Sequence, residues 1–195
     1  MKIGRRGSLT AFFTATGIQG HSAYPHLAEN PVPVLARLMP DMSATVLDEG
    51  SDHFDPSNLE VVTFDTSNPA NNVIPATCRS TVNIRFNDLH SSASLIDWVE
   101  GLVQKASDKV KIDVAFRITG DSFVTPPREL SELVTNAVQA ELGMIPKPST
   151  TGGTSDARMI KNHCPVIEFG LVGQRMHAVD ERVPVADIIT LSSIY

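Results

Sequence analysis

Histidine and tyrosine side chains gather in residues 17–27, a segment punctuated by glycine and proline. It contains His21, Tyr24 and His26, and its composition is typical of a loop, where rigid scaffolds often carry functional side chains. An imidazole can donate or accept a hydrogen bond, bind a metal ion or move a proton near neutral pH. A loop histidine is also commonly just solvated. The segment alone leaves both interpretations of His21 open, and we interpret His26 as solvated.

A second polar segment, residues 151–158, combines two glycines with hydroxyl and carboxylate side chains. Gly152 and Gly153 allow another group to approach the backbone closely. Thr154 and the residues after it are typical of a helix start, whose free N–H groups attract an anion. A capped helix after a tight turn explains the pattern equally well. The Gly-Lys-[Ser/Thr] ending of a phosphate-binding loop is missing from the segment, so no phosphate loop is predicted.

A third segment, residues 176–182, places one histidine shortly before two acidic residues. The neutral imidazole of His177 could bind zinc, and Asp180 or Glu181 could orient it by accepting a hydrogen bond. A catalytic zinc ion needs about three protein ligands, and two zinc ions need more. His177 alone therefore does not predict a metal site.

The segments that would position these loops alternate between the spacing of apolar residues typical of a strand and that typical of a helix. The strand-like segments are residues 8–16, 59–64, 81–86 and 110–118, and the helical ones begin near residues 31 and 92. Pro40 is expected to kink or break the first helix. The order β-α-β-β-α-β predicts a split β-α-β domain, in which two helices cover one face of a four-stranded antiparallel sheet.

The pattern changes after Gly120. The elements expected beyond it are a helix opened by Pro126-Pro127 and capped by Gly143, a short helix near 154–161, a strand at 164–169 and a last helix from Pro184. We therefore predict a mixed α/β chain with two domains. The first comprises residues 7–119, and the second is a partial α/β domain formed by residues 120–195 together with 1–6.

Composition limits the classes of function. The chain has 195 residues, 42% of them apolar, and a formal net charge of −6 without a long run of one sign. This favours a globular protein with a small-molecule partner over binding to nucleic acid or to a membrane. No secretion signal is evident, and no run approaches the roughly 18 apolar residues needed to span a bilayer, so a cytoplasmic location is the default expectation. Cys78 and Cys164 are expected to be reduced and mostly buried.

Taken together, Gly20-His21-Ser22-Ala23-Tyr24, Gly152-Gly153-Thr154-Ser155-Asp156 and His177-Ala178-Val179-Asp180-Glu181 resemble segments of the co-catalytic zinc deacylases and carboxypeptidases. The chain is most similar to the branch that hydrolyses a succinyl amide of a diamino di-acid in bacterial lysine synthesis. The resemblance covers nearly the whole chain but only the later part of the family's sequence. It implies a lid domain that forms a homodimer and is inserted into an α/β catalytic domain. It also implies two zinc ions per active site, with cobalt as a possible substitute.

The resemblance further implies roles for individual residues. In the family, the histidine equivalent to His21 reaches into the partner subunit's active site and stabilises the oxyanion as a catalytic residue, and the equivalent of His177 binds the second zinc ion. The implied binding residues for a di-acid amide substrate are Arg5, Tyr24, Asn71, Arg85, Gly153 and Thr154. A guanidinium fork matches the geometry of a carboxylate. Surface solvation remains the alternative for Arg85.

The family's other metal ligands have no counterpart in this sequence. They belong to an upstream His-x-Asp motif, a bridging aspartate and a Glu-Glu pair, and residues 171–175 also depart from the branch's substrate loop. We therefore expect a truncated zinc-dependent amide hydrolase that is inactive alone. Two alternatives stay open. One is a related deacylase of the acetylornithine deacetylase or aminoacylase type, and the other is a non-catalytic dimerisation module.

Overall fold

The structure is a computed structural model that describes residues 1–106, 109–171, 173 and 175–195. The chain forms two compact units, one of residues 6–122 and one of residues 1–5 with 123–195. The strands are β1 (Gly4–Arg5), β2 (Gly7–Thr16), β3 (Gly20–His21), β4 (Asn58–Asp65), β5 (Val73–Ile74), β6 (Thr77–Phe86), β7 (Lys111–Gly120) and β8 (Phe123–Val124). The helices are α1 (Pro31–Ser43), α2 (Ser92–Ala106), α3 (Glu129–Leu142), α4 (Ala157–Ile160) and α5 (Val185–Ile194).

The unit of residues 6–122 is built on a four-stranded sheet in the order β4-β6-β2-β7. Every neighbouring pair of strands is antiparallel. Helices α1 and α2 contact each other and pack on this sheet. The predicted β-α-β-β-α-β order and the split β-α-β architecture are therefore confirmed.

Strand alternation explains how this sheet acquires its core. Leu9, Ala11, Phe13 and Ala15 of β2 are at most 1% exposed. Successive side chains of a strand point to opposite faces, so these four share the face that the helices cover. They belong to one buried cluster with residues of α1, α2 and β6. Burial of that apolar face is the main source of stability for the unit.

Helix α1 begins where the sequence predicted. The Asn30 side chain accepts a hydrogen bond from the Val32 N–H at 3.1 Å, and Pro31 occupies the first turn. The expected break at Pro40 does not occur, because α1 continues to Ser43. A proline there removes only one backbone donor near the helix end. Buried Met39 and Met42 on either side of Pro40 hold the last turn against the core.

The unit of residues 1–5 and 123–195 pairs β1 with β8 in antiparallel register and places α3 against α5. Gly143 ends α3 with φ of 66°, the left-handed conformation expected of its cap. Helix α5 starts directly after Pro184, as predicted. Across the described part of the chain, no helix has the length and apolar character needed to cross a bilayer.

Two expectations about the segment 164–169 are wrong. It forms no strand, only an isolated bridge between Lys2 and Glu168. Cys164 is exposed, whereas Cys78 is buried as expected. Pro165 has no N–H to donate to a strand ladder, which explains why an apolar run here does not become a regular strand.

Candidate functional site

The His21 loop is closed at its base by backbone hydrogen bonds. Ile18 and Glu29 exchange N–H to carbonyl bonds of 2.9 and 3.0 Å, and the Gly17 N–H donates to the Ala76 carbonyl at 2.9 Å. A Cβ on Gly17 would lie 1.9 Å from the Glu29 carbonyl oxygen, so only glycine fits there. The loop therefore leaves the sheet at a fixed point.

His21 itself lies in the short strand β3. It pairs with Val73 of β5, and the neighbouring Ser22 N–H donates to the Asn72 carbonyl at 3.0 Å. The imidazole is exposed. Its Nδ1 accepts a hydrogen bond from the Ala23 N–H at 3.0 Å. In a neutral imidazole one nitrogen accepts and the other carries the proton, so Nε2 of His21 is a donor.

Tyr24 lies beside His21 and is 56% exposed. Its ring centroid is 5.8 Å from that of His21 and 6.3 Å from that of His26. The three rings thus form an exposed aromatic group at the tip of the loop. The structure brings together His21 and Tyr24, which sequence reasoning had selected, and it adds His26 as a neighbour.

The segment 65–74 supplies the other side of this loop. Asn71 is exposed in the turn before β5. Asn68 donates from Nδ2 to the Val73 carbonyl at 2.8 Å, which holds the turn against the strand that pairs with His21. Sequence reasoning missed Asn68. Its only signal was the turn-forming pair Asn68-Pro69.

Arg85 alternates with the buried residues Ile84 and Phe86 and therefore lies on the opposite face of the sheet. Its Nε donates to Asn83 Oδ1 at 3.1 Å, and Asn83 Nδ2 donates to Thr10 Oγ1 at 3.1 Å. Arg85 is half-buried rather than freely solvated. The chain of side-chain bonds gives its guanidinium a defined direction.

In the other unit, the segment 149–153 is held by two basic side chains. Arg5 donates from Nε to Glu168 Oε2 at 2.6 Å and from Nη1 to the Gly153 carbonyl at 3.0 Å. Lys2 donates from Nζ to Thr151 Oγ1 at 2.6 Å and to Ser149 Oγ at 3.1 Å. Glu168 was not anticipated as a partner, because it lies 163 residues away in the sequence.

The charged groups in this cluster shift one another's pKa values. Partial burial raises the pKa of Glu168. The hydrogen bond from Arg5 and the Ser155 hydroxyl, followed by the positive charges of Arg5 and Lys2, outweigh this effect, so the pKa of Glu168 lies below the ordinary value. Burial lowers the pKa of Lys2, and the charge of Arg5 lowers it further. Glu168 is therefore a carboxylate at neutral pH, and it neutralises part of the charge of Arg5.

Gly153 is exposed and Thr154 is half-buried, but the helix after them is shorter than predicted. Helix α4 begins only at Ala157, and the Asp156 side chain makes no capping hydrogen bond. The expectation that a helix starts near Thr154 and offers its free N–H groups to an anion is therefore wrong. A single turn of helix aligns too few peptide dipoles to attract an anion.

His177 is exposed and has φ of 60°, within a series of turns. Arg175 donates from Nη2 to the Val179 carbonyl at 2.9 Å and ties the ends of that turn together. Within the described residues, no three histidine, cysteine, aspartate or glutamate side chains lie close enough to hold a metal ion. His177 and its described surroundings therefore do not by themselves fit a metal centre. In the segment 171–175, Val172 and Gln174 are outside the described residues.

A buried polar network was also missed. Asp48 Oδ1 accepts hydrogen bonds from the Gly50 N–H at 2.7 Å and from Asn87 Nδ2 at 2.6 Å, and Oδ2 lies 3.1 Å from His90 Nε2. Asn87 is fully buried at the end of β6. The spacing Asp48-x-Gly50 was the available signal, since aspartate often bonds to the backbone two residues on. The network ties the 48–57 loop to the sheet.

Comparison with known proteins shows which family and which relatives this chain is similar to. Residues 3–111 match the family model of the peptidase dimerisation domain. The chain is 62% identical over 197 aligned residues to the succinyl-diaminopimelate desuccinylase of Cereibacter sphaeroides (strain ATCC 17029 / ATH 2.4.9), with 100% of this chain and 52% of that protein covered. It is 60% identical to the enzyme of the same name from Ruegeria pomeroyi, with the same coverage of 100% and 52%. The chain thus spans about half the length of the curated relatives it matches, which agrees with the predicted partial resemblance.

Solved structures support the fold. A tripeptidase from Staphylococcus aureus superposes with a TM-score of 0.80 at 16% identity, covering 98% of this chain and 50% of that one. An M20 family metallo-carboxypeptidase from Sulfolobus solfataricus superposes with a TM-score of 0.71 at 12% identity, covering 98% and 57%. At such identities the likeness concerns the fold alone.

Proposed function

Since this chain belongs to the peptidase dimerisation domain family, we propose that it forms the dimerising and substrate-binding part of a succinyl-diaminopimelate desuccinylase. The reaction is the metal-dependent removal of the succinyl group from N-succinyl-LL-2,6-diaminopimelate, in the cytoplasm. The observation that carries this proposal is the 62% identity to the Cereibacter sphaeroides desuccinylase over the whole of this chain. The chain contributes about half of such an enzyme's length, so the proposal concerns the assembled enzyme.

Residues 7–119 are the proposed lid domain, and they form a homodimer. The family description supports dimerisation, and the split β-α-β unit provides the rigid sheet on which the His21 loop is carried. In the dimer each His21 completes the partner subunit's active site. The exposed position of His21 at the loop tip is compatible with such a reach.

His21 is the proposed catalytic residue, and its donor atom is Nε2. When water attacks the succinyl amide, the carbonyl oxygen gains negative charge, and a donor fixed in advance at that oxygen lowers the barrier. The Ala23 N–H occupies Nδ1 and so keeps the proton of the neutral ring on Nε2. Tyr24 and Asn71, on either side of this loop, are proposed to contact the substrate.

A di-acid substrate requires groups that recognise carboxylates. Arg85 is the proposed partner for one carboxylate, because its guanidinium is directed by Asn83 and remains partly accessible. Gly153 and Thr154, in the segment that Arg5 contacts, are proposed to bind another. No phosphate or nucleic acid is implied by these groups.

A metal is part of the proposal, although the described residues of this chain do not form a complete metal site by themselves. The resemblance of the His21 and His177 segments to the co-catalytic zinc deacylases supports metal dependence. We propose two zinc ions per active site, replaceable by cobalt, with His177 as one ligand. The remaining ligands would come from the part of the relatives' length that this chain does not span.

Substrate selectivity tests the proposed function. The chain is fused to the portion of the Cereibacter sphaeroides desuccinylase that its match does not cover, and hydrolysis of N-succinyl-diaminopimelate is compared with that of N-acetylornithine in the presence of zinc. The proposal predicts a preference for the succinyl substrate of about tenfold or more in kcat/KM, because its additional carboxylate finds a partner. A preference for the acetyl substrate would contradict it and favour a related deacylase.

A further inference from the structure

Arg85 lies on the sheet face opposite the helices, and its charged fork has no partner among the described residues. Its Nε donates to Asn83 Oδ1 at 3.1 Å, whereas neither Nη1 nor Nη2 makes a hydrogen bond or an ion pair in the described part of the chain. Arg117 on the same face differs, because its guanidinium lies 5.5 Å from the centroid of the Phe12 ring. Half-buried Arg85 therefore keeps two donor atoms available for a carboxylate.

Asn83 is itself fixed from its other side by Thr10. The two residues lie directly opposite each other in the pairing of β2 with β6, and Asn83 Nδ2 donates to Thr10 Oγ1 at 3.1 Å. Thr10 is only 4% exposed, so its hydroxyl is a defined partner. An arginine Nε–H can only donate, so the amide oxygen of Asn83 faces Arg85 and its NH₂ group faces Thr10. The three side chains thus form a row with a single orientation.

The amide of Asn83 directs Arg85 without neutralising it. An aspartate has the same shape and would accept the same bond from Nε, but its negative charge would compete with any carboxylate that approaches Nη1 and Nη2. Glu60 lies opposite Asn83 on β4 and, within the described residues, forms no ion pair with Arg85. A neutral residue at position 83 therefore leaves the charge of Arg85 available to a ligand.

We propose that Asn83, held by Thr10, is a positioning residue that directs Nη1 and Nη2 of Arg85 and leaves the guanidinium charge available for a substrate carboxylate. Asn83 thereby favours a di-acid substrate without touching it. The binding of a carboxylate by Arg85 rests on the proposed function. The direction that Asn83 gives to Arg85 does not, because it follows from the side-chain bonds on one sheet.

The first test measures the order of the Arg85 Nε–H group in the 195-residue chain by NMR relaxation. T10V keeps the shape of Thr10 but removes its oxygen, and N83A removes the acceptor. In both variants the order parameter of Nε–H should fall from about 0.85 to below about 0.6. T10S keeps a hydroxyl and should retain the wild-type value, while the backbone amide spectrum reports whether each variant is folded. Unchanged order in folded T10V and N83A would overturn the proposal.

The second test measures hydrolysis of N-succinyl-diaminopimelate by the fused enzyme. N83D should raise KM about tenfold, which corresponds to about 1.4 kcal/mol of binding free energy. Its kcat should stay within about twofold of the wild type, because a carboxylate remote from the scissile amide is bound equally in the ground and transition states. A merely structural role of Asn83 would instead lower the stability of N83D and leave KM unchanged.

T81D is the matched control for added charge. Thr81 lies on the same face of β6, four residues before Arg85. That spacing is roughly 13 Å along the strand, beyond the Debye length of about 8 Å at physiological salt. The KM of T81D should therefore stay near the wild-type value, and an equal rise of KM in T81D and N83D would overturn the proposal.

R85A separates the positioning role from the proposed function. If R85A raises KM and N83D does not, Asn83 does not control the charge of Arg85 and the proposal is overturned. If R85A leaves KM unchanged while Nε–H loses order in T10V, the direction given by Asn83 stands and the proposed binding of substrate by Arg85 fails.

Discussion

The Nδ1 atom of His21 accepts a hydrogen bond from the Ala23 N–H across 3.0 Å, and this bond selects which nitrogen can donate. The residues of the loop therefore define the chemistry of the ring before any substrate is present. Preorganised donors stabilise a developing oxyanion better than mobile ones, because they need no rearrangement in the transition state.

Replacing His21 with alanine should lower kcat of the fused enzyme by about 10²–10³-fold, the usual effect of losing one oxyanion donor. Thermal stability should change little, because the side chain is exposed. H26A, in the same loop, is the control and should keep near wild-type kcat. Steady-state kinetics of the wild-type, H21A and H26A fusions measures these changes. Equal losses of kcat in H21A and H26A would argue against a specific role of His21.

Replacing Asn68 with alanine should loosen the pairing of β5 with β3. The lost bond from Nδ2 to the Val73 carbonyl contributes about 1 kcal/mol. Exchange of the Ser22 amide, which bonds to Asn72 in the same pairing, should become about fivefold faster in hydrogen-exchange NMR. N71A removes an exposed neighbour and should leave this exchange rate unchanged, so equal rates in N68A and wild type would refute the assignment.

Replacing Gly152 with alanine should reduce unfolding free energy by about 1–2 kcal/mol, because its φ of 99° disfavours a side chain. G153A is the matched control. A Cβ at Gly153 meets no atom of the described residues within 4 Å, and its backbone is not left-handed. Urea denaturation of both variants should therefore show a loss in G152A only.

Replacing Asp48 with asparagine should reduce unfolding free energy by roughly 3 kcal/mol at neutral pH, because it breaks a buried charged network. Burial raises the pKa of Asp48, but hydrogen bonds from Ser57, Gly50 and Asn87 hold it below the ordinary value. The stabilisation is therefore present above about pH 3.9 and is lost as pH falls through the lower folded pKa.

Urea denaturation across acidic pH measures this dependence. In D48N the free energy of unfolding should depend less on pH below about pH 4 than it does in the wild type. D52N, which changes an exposed carboxylate nearby, should keep the wild-type dependence. A profile for D48N that parallels the wild type would show that Asp48 does not carry the effect.

The fold of the first unit was predictable because its signals are local and periodic. Leu9, Ala11, Phe13 and Ala15 alternate within one strand, and the same rule locates the other strands and helices. The end of α3 was equally predictable, since Gly143 supplies a conformation that few other residues adopt. Such features depend on neighbours in sequence.

The rest could not be predicted, because it depends on partners far apart in the sequence. The sequence around Arg5 gives no sign that Glu168 is its partner. The sequence around Asp48 likewise does not indicate Asn87 or His90. Apolar character alone predicted a strand at 164–169, but Pro165 lacks a backbone donor and the segment forms only an isolated bridge at Glu168. The roles of His21 and His177 came from family resemblance, and they remain predictions.

Hydrolysis of N-succinyl-diaminopimelate with added zinc tests the central claim most directly. The assay compares the 195-residue chain alone, the chain fused to the uncovered portion of the Cereibacter sphaeroides enzyme, and the fusion carrying H177A. We predict turnover by the fusion only. Equal turnover by the chain alone, or by the H177A fusion, would contradict the account, as would a folded, dimeric fusion that hydrolyses no succinyl substrate.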